Sequence, residues 1–290
     1  MNKSFAILLF FAVLFHSGYA QQPTEDYATL KKQVKKNIGK CNSYDPRSPE
    51  WEDVNIDSLA ERAAGELTRL LKYDESVNLN PDELGLSVDA KTTDETQIRV
   101  YSFYYISGGT IGGIYFPVIQ WRNKQGKPFA YNLSGEWMKS FHNVYLLKKD
   151  SASSVYMLLG KGNESSARWG YYAYVLKFSG DLMFTNYHAF AKQNDLYLAD
   201  VEITYDTARK VLHLDGDLDR LQSDLQWQLK DADSNAKSPS DTIANRQYYN
   251  LFMAKYDKDL ADYPTDNGID LWFNGNHFVN IGPGKKPDEH

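Results

Sequence analysis

Near Gln97 the hydrophobic period of this chain changes, and that change governs what it can fold into. Before it, Tyr27, Leu30, Val34 and Ile38 recur at helical spacing, and so do Leu59, Ala63, Leu67, Leu70 and Leu71. Pro46 and Pro49 mark a loop between the two runs, with Asp57 opening the second helix. After Gln97 the chain breaks into short apolar, aromatic runs: Arg99 to Ile106, Ile114 to Trp121, Phe129 to Leu133, Val144 to Leu147 and Val155 to Leu159. Gly170 to Phe178 and Leu182 to Phe190 follow, joined by Ser179-Gly180-Asp181 as a hairpin. Val201, Ile203 and Tyr205 alternate with Glu202 and Thr204, as a strand buried on one face must. The chain turns over Asp206 to Lys210 into Val211 to Leu214. Asn274-Gly275-Asn276, between Leu271-Trp272-Phe273 and His277-Phe278-Val279, predicts a type I′ hairpin turn.

These patterns predict a mainly β protein of the α+β kind. A helical segment over residues 21–95 precedes a large antiparallel, meandering β-body over 96–290. The polar stretch from Pro81 to Glu95 is the expected boundary. Val100-Tyr101 and Val155-Tyr156 each lead into glycines and then an aromatic strand, a partial repeat compatible with a propeller-like body or with a curved multi-stranded sheet. Within the body the pattern lapses. Leu218, Leu221, Leu225 and Leu229 suit a short amphipathic helix, Asp231 to Asp241 reads as an exposed loop, and strands are expected to resume over Gln247 to Lys255.

The chain begins as an export signal does. Lys3 precedes an apolar run from Phe5 to Phe15, too short to span a bilayer, and Ser17-Gly18-Tyr19-Ala20 offers small residues for cleavage near Ala20-Gln21. The expectation is an exported protein, periplasmic or secreted, that is not an integral membrane protein. Removing residues 1–20 takes away Lys3 and shifts the formal charge from -6 to -7. That balance argues against nucleic acid as the general partner and against adhesion of the whole molecule to an anionic membrane. Lys31, Lys32, Lys35, Lys36 and Lys40 run against the trend, either as a solvated helix face or to meet acidic surface of the same chain. Cys41 is the single cysteine, so no intrachain disulfide forms and core burial must supply the stability; a buried thiol is the expected state.

Motifs for chemistry are sparse. No catalytic residue is assigned: there is no Gly-x-Ser-x-Gly elbow and Cys41 has no nearby His. No metal is assigned either, because His142, His188, His213, His277 and His290 lack ligand spacing, and His213 beside Asp215 reads as a surface residue. Asp215, Asp217 and Asp219 resemble the start of a calcium loop, but Arg220 and Gln226 stand where it needs Gly and Glu; a strand end before an acidic helix start explains them. Asp257, Asp259, Asp262, Asp266 and Asp270 show no ligand order. No cofactor motif is present. Two glycine loops are the candidate ligand site: Ser107, Gly108, Gly109 and Thr110, followed by Gly112-Gly113, and Gly160-Lys161-Gly162 leading to Ser165, Ser166, Arg168 and Trp169. Glycines permit close backbone approach, the hydroxyls and Arg168 supply donors, and Trp169 supplies a stacking face.

Arg99-Val100-Tyr101-Ser102 with Ser107-Gly108-Gly109-Thr110, Gly170-Tyr171-Tyr172-Ala173 and Trp272-Phe273-Asn274-Gly275-Asn276-His277-Phe278-Val279 resemble secreted β-rich proteins of Gram-negative bacteria. The resemblance implies a helical front part before a β-rich body and carries no activity with it. The function expected is a non-catalytic binding or envelope-associated protein whose partner is a small polar ligand, a glycan or an envelope protein. The alternative is a hydrolase acting on an envelope or dietary polymer.

Overall fold

A computed structural model of the protein describes residues 25–108, 112–134, 140–165, 168–191, 193–215, 218–253 and 268–282. It is mostly antiparallel β-sheet with four α-helices among the described residues, and no sheet closes into a barrel.

Helix α1 (Tyr27–Asn42) is capped by Asp26, whose carboxylate accepts from the Ala28 and Thr29 amides at 2.9 and 3.2 Å. Helix α2 (Ile56–Leu70) is capped by Asn55, which accepts from the Ser58 amide at 3.0 Å. Leu30, Val34, Ile38 and Cys41 of α1 pack against Leu59, Ala63, Leu67 and Leu70 of α2. Burial pushes the Cys41 thiol up to about 11, because the low-dielectric core disfavours the thiolate.

The first sheet contains β1 (Ser87–Lys91) and β2 (Arg99–Ser102). A hairpin, β3 (Tyr104–Ile106) and β4 (Gly113–Tyr115), branches off before the chain returns as β5 (Val118–Arg122) and β6 (Pro128–Asn132), giving the order β1-β2-β5-β6. The second sheet is built from β7 (Ser140–Lys149), β8 (Ser154–Ser165), β9 (Arg168–Ser179), β10 (Leu182–Phe184) and β11 (Asp195–Ala199). Strands β10 and β11 share one edge of β9, pairing with its two ends. The third sheet has β12 (Glu202–Asp206) and β13 (Val211–Asp215). Helices α3 (Leu218–Ser234) and α4 (Pro239–Met253) intervene before β14 (Ile269–Phe273) and β15 (Phe278–Asn280) complete the order β12-β13-β14-β15.

Three cores separate these layers. Alternate residues of the second sheet go to opposite faces. Tyr156, Leu158, Tyr174 and Leu176 meet Val100, Ile119 and Trp121 of the first sheet. Val155, Met157, Val175 and Leu198 meet Leu212, Leu214 and Leu271 of the third sheet, with Leu225 of α3 and Phe252 of α4 closing the side. The far face of the first sheet, through Tyr101, Val118 and Ala130, receives α1 and α2. The second sheet is therefore buried on both sides, which is why Val155 to Leu159 reads as an unbroken apolar run.

Several local expectations are corrected. Gln247 to Met253 is helix, not strand, and the expected 231–241 loop is mostly helix too: α3 runs through Ser234 and α4 begins at Pro239, leaving 235–238 between them. Tyr248 and Phe252, one turn apart, bury together with ring centroids 5.1 Å apart. Ser238-Pro239 followed by Asp241 is a helix-start signal: the Ser238 carbonyl accepts from the Asp241 amide at 3.1 Å and Pro239 takes the first helical position. Strand β1 lies in the polar stretch before Gln97; as an edge strand burying only Ala90, it shows no apolar alternation. The terminal hairpin forms, but not through a type I′ turn. Asn274 to His277 make a four-residue loop in which only Gly275 has positive φ (98°), and the Asn274 side chain accepts from the Asn276 and His277 amides, both at 3.0 Å.

One buried amide joins the helical layer to the first sheet. Gln120, 4% exposed, donates to the Leu71 carbonyl at 2.7 Å and to Ser76 Oγ at 2.9 Å, and accepts from the Tyr101 hydroxyl at 3.3 Å. Gln120→Leu leaves the Tyr101 hydroxyl without its acceptor and removes a donor from Leu71. The expected loss is about 1–3 kcal/mol, read as a lower urea midpoint at unchanged slope.

Candidate functional site

The two glycine segments meet. A Cβ placed on Gly112 would lie 3.8 Å from Asn163 Nδ2, so the β3–β4 connection runs beside the far end of β8. Their local structures differ from the expectation of two open loops. Gly160 to Ser165 belongs to strand β8. Gly160 is dictated by packing: a Cβ there would fall 2.8 Å from the Ser140 carbonyl oxygen and 2.9 Å from Phe141 Cδ1, so β7 can approach only a residue without a side chain. Gly108 sits at φ 76° with Pro46 against it, 2.6 Å from where a Cβ would stand. Ser107 is turned inward, its amide and hydroxyl both donating to the Gly112 carbonyl, at 2.9 and 3.1 Å. Gly109, Thr110 and Ser166 lie outside the described residues, and Ser165 is described in its backbone alone, paired with Arg168.

Arg168 and Trp169 open strand β9 and are held by one acid. Asp200 accepts from the Trp169 amide at 2.8 Å and approaches Arg168 Nε at 3.4 Å, while the Asp200 amide donates to the Trp169 carbonyl at 2.6 Å. Asp200 reaches this double contact at φ 56°, in the left-handed region that Asp tolerates better than most residues. Arg168 is thus an ion-pair partner before it is a ligand donor. The Trp169 side chain remains 47% exposed, with the Lys161 ammonium 5.8 Å from its ring centroid. Asn163 stands opposite Trp169 and Lys161 opposite Tyr171, which places all four on one face at the end of the second sheet. Lys161 and Asn163 lie in the second expected loop but were not expected to contribute side chains, and Asp200 was outside it. The alternation of Lys161 and Asn163 within a strand is the sequence signal that points to them.

A second polar constellation lies on the outer face of the third sheet. Thr204, His213 and Asp270 are register neighbours across β12, β13 and β14. His213 Nδ1 donates to Asp270 Oδ1 at 2.6 Å, and Asp270 is only 4% exposed. The surface role expected for His213 is therefore corrected: it is half-buried and serves a buried carboxylate. Its pKa is raised, first by the hydrogen bond it donates to Asp270, against the opposing effect of desolvation. Sequence spacing could not reveal this pair, because its members are 57 residues apart and meet only through strand register.

Among the described residues no group of three or more His, Cys, Asp or Glu side chains is placed to hold a metal ion, and no helix is long and apolar enough to cross a membrane. Asp215 ends β13 just before α3 begins; Asp217 lies outside the described residues, as do Asp257, Asp259, Asp262 and Asp266.

Two outcomes follow. Gly160→Ala should lower stability by about 1–3 kcal/mol through overpacking against β7, measurable by chemical denaturation. For His213, a folded pKa above the unfolded one adds stability that is complete below the unfolded value of about 6.5 and fades as pH rises through the raised value. His213→Ala should therefore destabilise the protein more at about pH 5.5 than at about pH 8.5, seen as a melting-temperature difference that shrinks with pH. No family model, curated protein or solved structure matches this chain.

Proposed function

We propose that this is an exported, non-catalytic binding protein in which the β-body over 96–290 presents the tip of the second sheet to a small polar ligand or glycan. Helices α1 and α2 form a layer behind the first sheet, which β1 joins from the stretch before Gln97, and residues 1–20 direct export. The observation that carries the reading is the exposed Trp169 ring on a strand end, with the Lys161 ammonium beside it and Asn163 on the same face. The ring is held from behind: Asp200 fixes the Trp169 backbone on both sides of the residue. A sugar presents an apolar face to such a ring and hydroxyls to the amide and ammonium. Fixing the platform before the ligand arrives lowers the ordering cost of binding.

A hydrolase acting on an envelope or dietary polymer is the second reading, and it draws on the His213–Asp270 pair. A buried carboxylate holding one ring nitrogen orients the imidazole and leaves the other nitrogen for proton transfer. The binding reading is preferred because Trp169, Lys161 and Asn163 converge on one face around an exposed ring, whereas the carboxylate of the His213–Asp270 pair is buried and only its imidazole reaches the surface.

A thermal-shift titration of the full chain with neutral oligosaccharides separates the readings, since a ligand of the folded state raises the melting temperature. The expected result is a shift that Trp169→Ala abolishes while the unliganded stability stays within about 0.5 kcal/mol, as for a surface substitution. A shift that survives Trp169→Ala, or no shift with any oligosaccharide, overturns the binding reading. Turnover of an oligosaccharide that disappears in His213→Ala establishes the second.

A further inference from the structure

Helices α1 and α2 flank an open groove whose charge opposes that of the rest of the molecule. Along α1 it is lined by Thr29, Lys32, Gln33, Lys36 and Lys40, and Arg62 of α2 faces them across a space of about 470 Å³. Beyond Lys40 and Arg62 it continues into a second space of about 330 Å³, walled by Trp51, Val54 and Leu59. Lys40 and Arg62 line both spaces, so the two form one continuous groove.

The cations are unspent. Of the α1 lysines Lys31 reaches Glu83 at 2.8 Å, and Arg69 of α2 reaches Glu25 at 3.5 Å. Lys32, Lys36, Lys40 and Arg62 have no carboxylate within ion-pair distance among the described residues, and all four are exposed. Lys32, Lys36 and Lys40 are also successive i, i+4 neighbours, an arrangement of like charges that destabilises a helix. The helix keeps that repulsion although acidic residues are the more numerous in the chain, 38 against 32 basic ones. The floor of the groove is prepared as well. Glu66, 3% exposed, accepts from Gln33 Nε2 at 2.6 Å and from Asn37 Nδ2 at 2.8 Å, which fixes both amides beneath the lysines. At the far end the Trp51 indole N–H is buried and has no acceptor among the described residues.

We infer that this groove binds an acidic polysaccharide, a chain of sugars carrying carboxylates, at a site separate from the Trp169 tip. Four features select that occupant. Successive lysines rise about 6 Å along α1, which suits charges borne on sugar units in a row. The Trp51, Val54 and Leu59 end offers an apolar wall for a ring face. A nucleic acid duplex carries a charge every ~1.7 Å, and the net-negative surface around four cations opposes so dense a polyanion. The site is an open groove along two helices, a shape that suits one extended chain better than the flat face of a lipid bilayer.

The test uses the full chain and polygalacturonate as the acidic probe. Dextran is the neutral control, and inorganic polyphosphate and anionic phospholipid vesicles are the competing anions. Wild-type protein should bind polygalacturonate with an affinity that falls as salt rises and should not bind dextran through this groove. Lys32→Gln/Lys36→Gln/Arg62→Gln should lose at least tenfold in affinity with an unchanged melting temperature, and Trp169→Ala should leave polygalacturonate binding as in wild type. Should the triple variant unfold, Lys36→Glu alone should still weaken binding several-fold. No binding at low salt, or equal binding by the groove variants, overturns the inference. Groove-dependent binding of polyphosphate or vesicles without polygalacturonate overturns the assignment to a glycan. Loss of polygalacturonate binding in Trp169→Ala overturns the claim of a separate site.

Discussion

Burial of the second sheet on both faces is the constraint on which the rest of the structure depends. Strands β8 and β9 are twelve residues each, and their side chains alternate into two different cores. A sheet with two apolar faces has no stable exposed state in water. It needs the first sheet on one side and the third sheet with α3 and α4 on the other. The first sheet in turn has a second apolar face, which α1 and α2 cover. The layered arrangement is thus a chain of obligations that starts from Val155 to Leu159 and Tyr171 to Phe178.

Polar groups lock the layers in register where apolar contact alone would let them slide. The Tyr156 hydroxyl donates from the second sheet and meets Asp94 and Thr96, both at 2.8 Å, at the edge of the first. Burial raises the Tyr156 pKa, so the phenol stays protonated and remains a donor. Tyr105, on the inserted hairpin, hydrogen-bonds Asp57 at the start of α2, and burial likewise raises its pKa. Each of these contacts joins residues 48 or more positions apart. Their specificity comes from geometry: a hydroxyl displaced by one residue along a strand would face the opposite core.

How much was legible in the sequence depended on whether a signal was local. The Ser179-Gly180-Asp181 hairpin was readable, and Gly180 and Asp181 are its two loop residues, at φ 58° for Gly180. Ile203 faces the core between exposed Glu202 and Thr204, as alternation requires. Strand and helix were confused where an aromatic run was short: Gln247 to Met253 contains Tyr248, Tyr249 and Phe252, residues that favour strands by propensity but here pack on one helix turn. The candidate site was half legible. Glycine and tryptophan marked the segments that do come together at Gly112 and Asn163, yet Gly160 in β8 reflects the approach of β7. Asp200 and the His213–Asp270 pair were invisible because strand register, not spacing along the chain, assembles them.

The solitary thiol gives the helical layer a clock of its own. Cys41 is fully shielded between α1 and its neighbours, and its raised pKa keeps it in the unreactive thiol form. An alkylating reagent can reach it only when α1 swings away from the layer beneath, so the rate of labelling counts those openings. Because the chain has one sulfhydryl, that count needs no mutation and no correction for other sites.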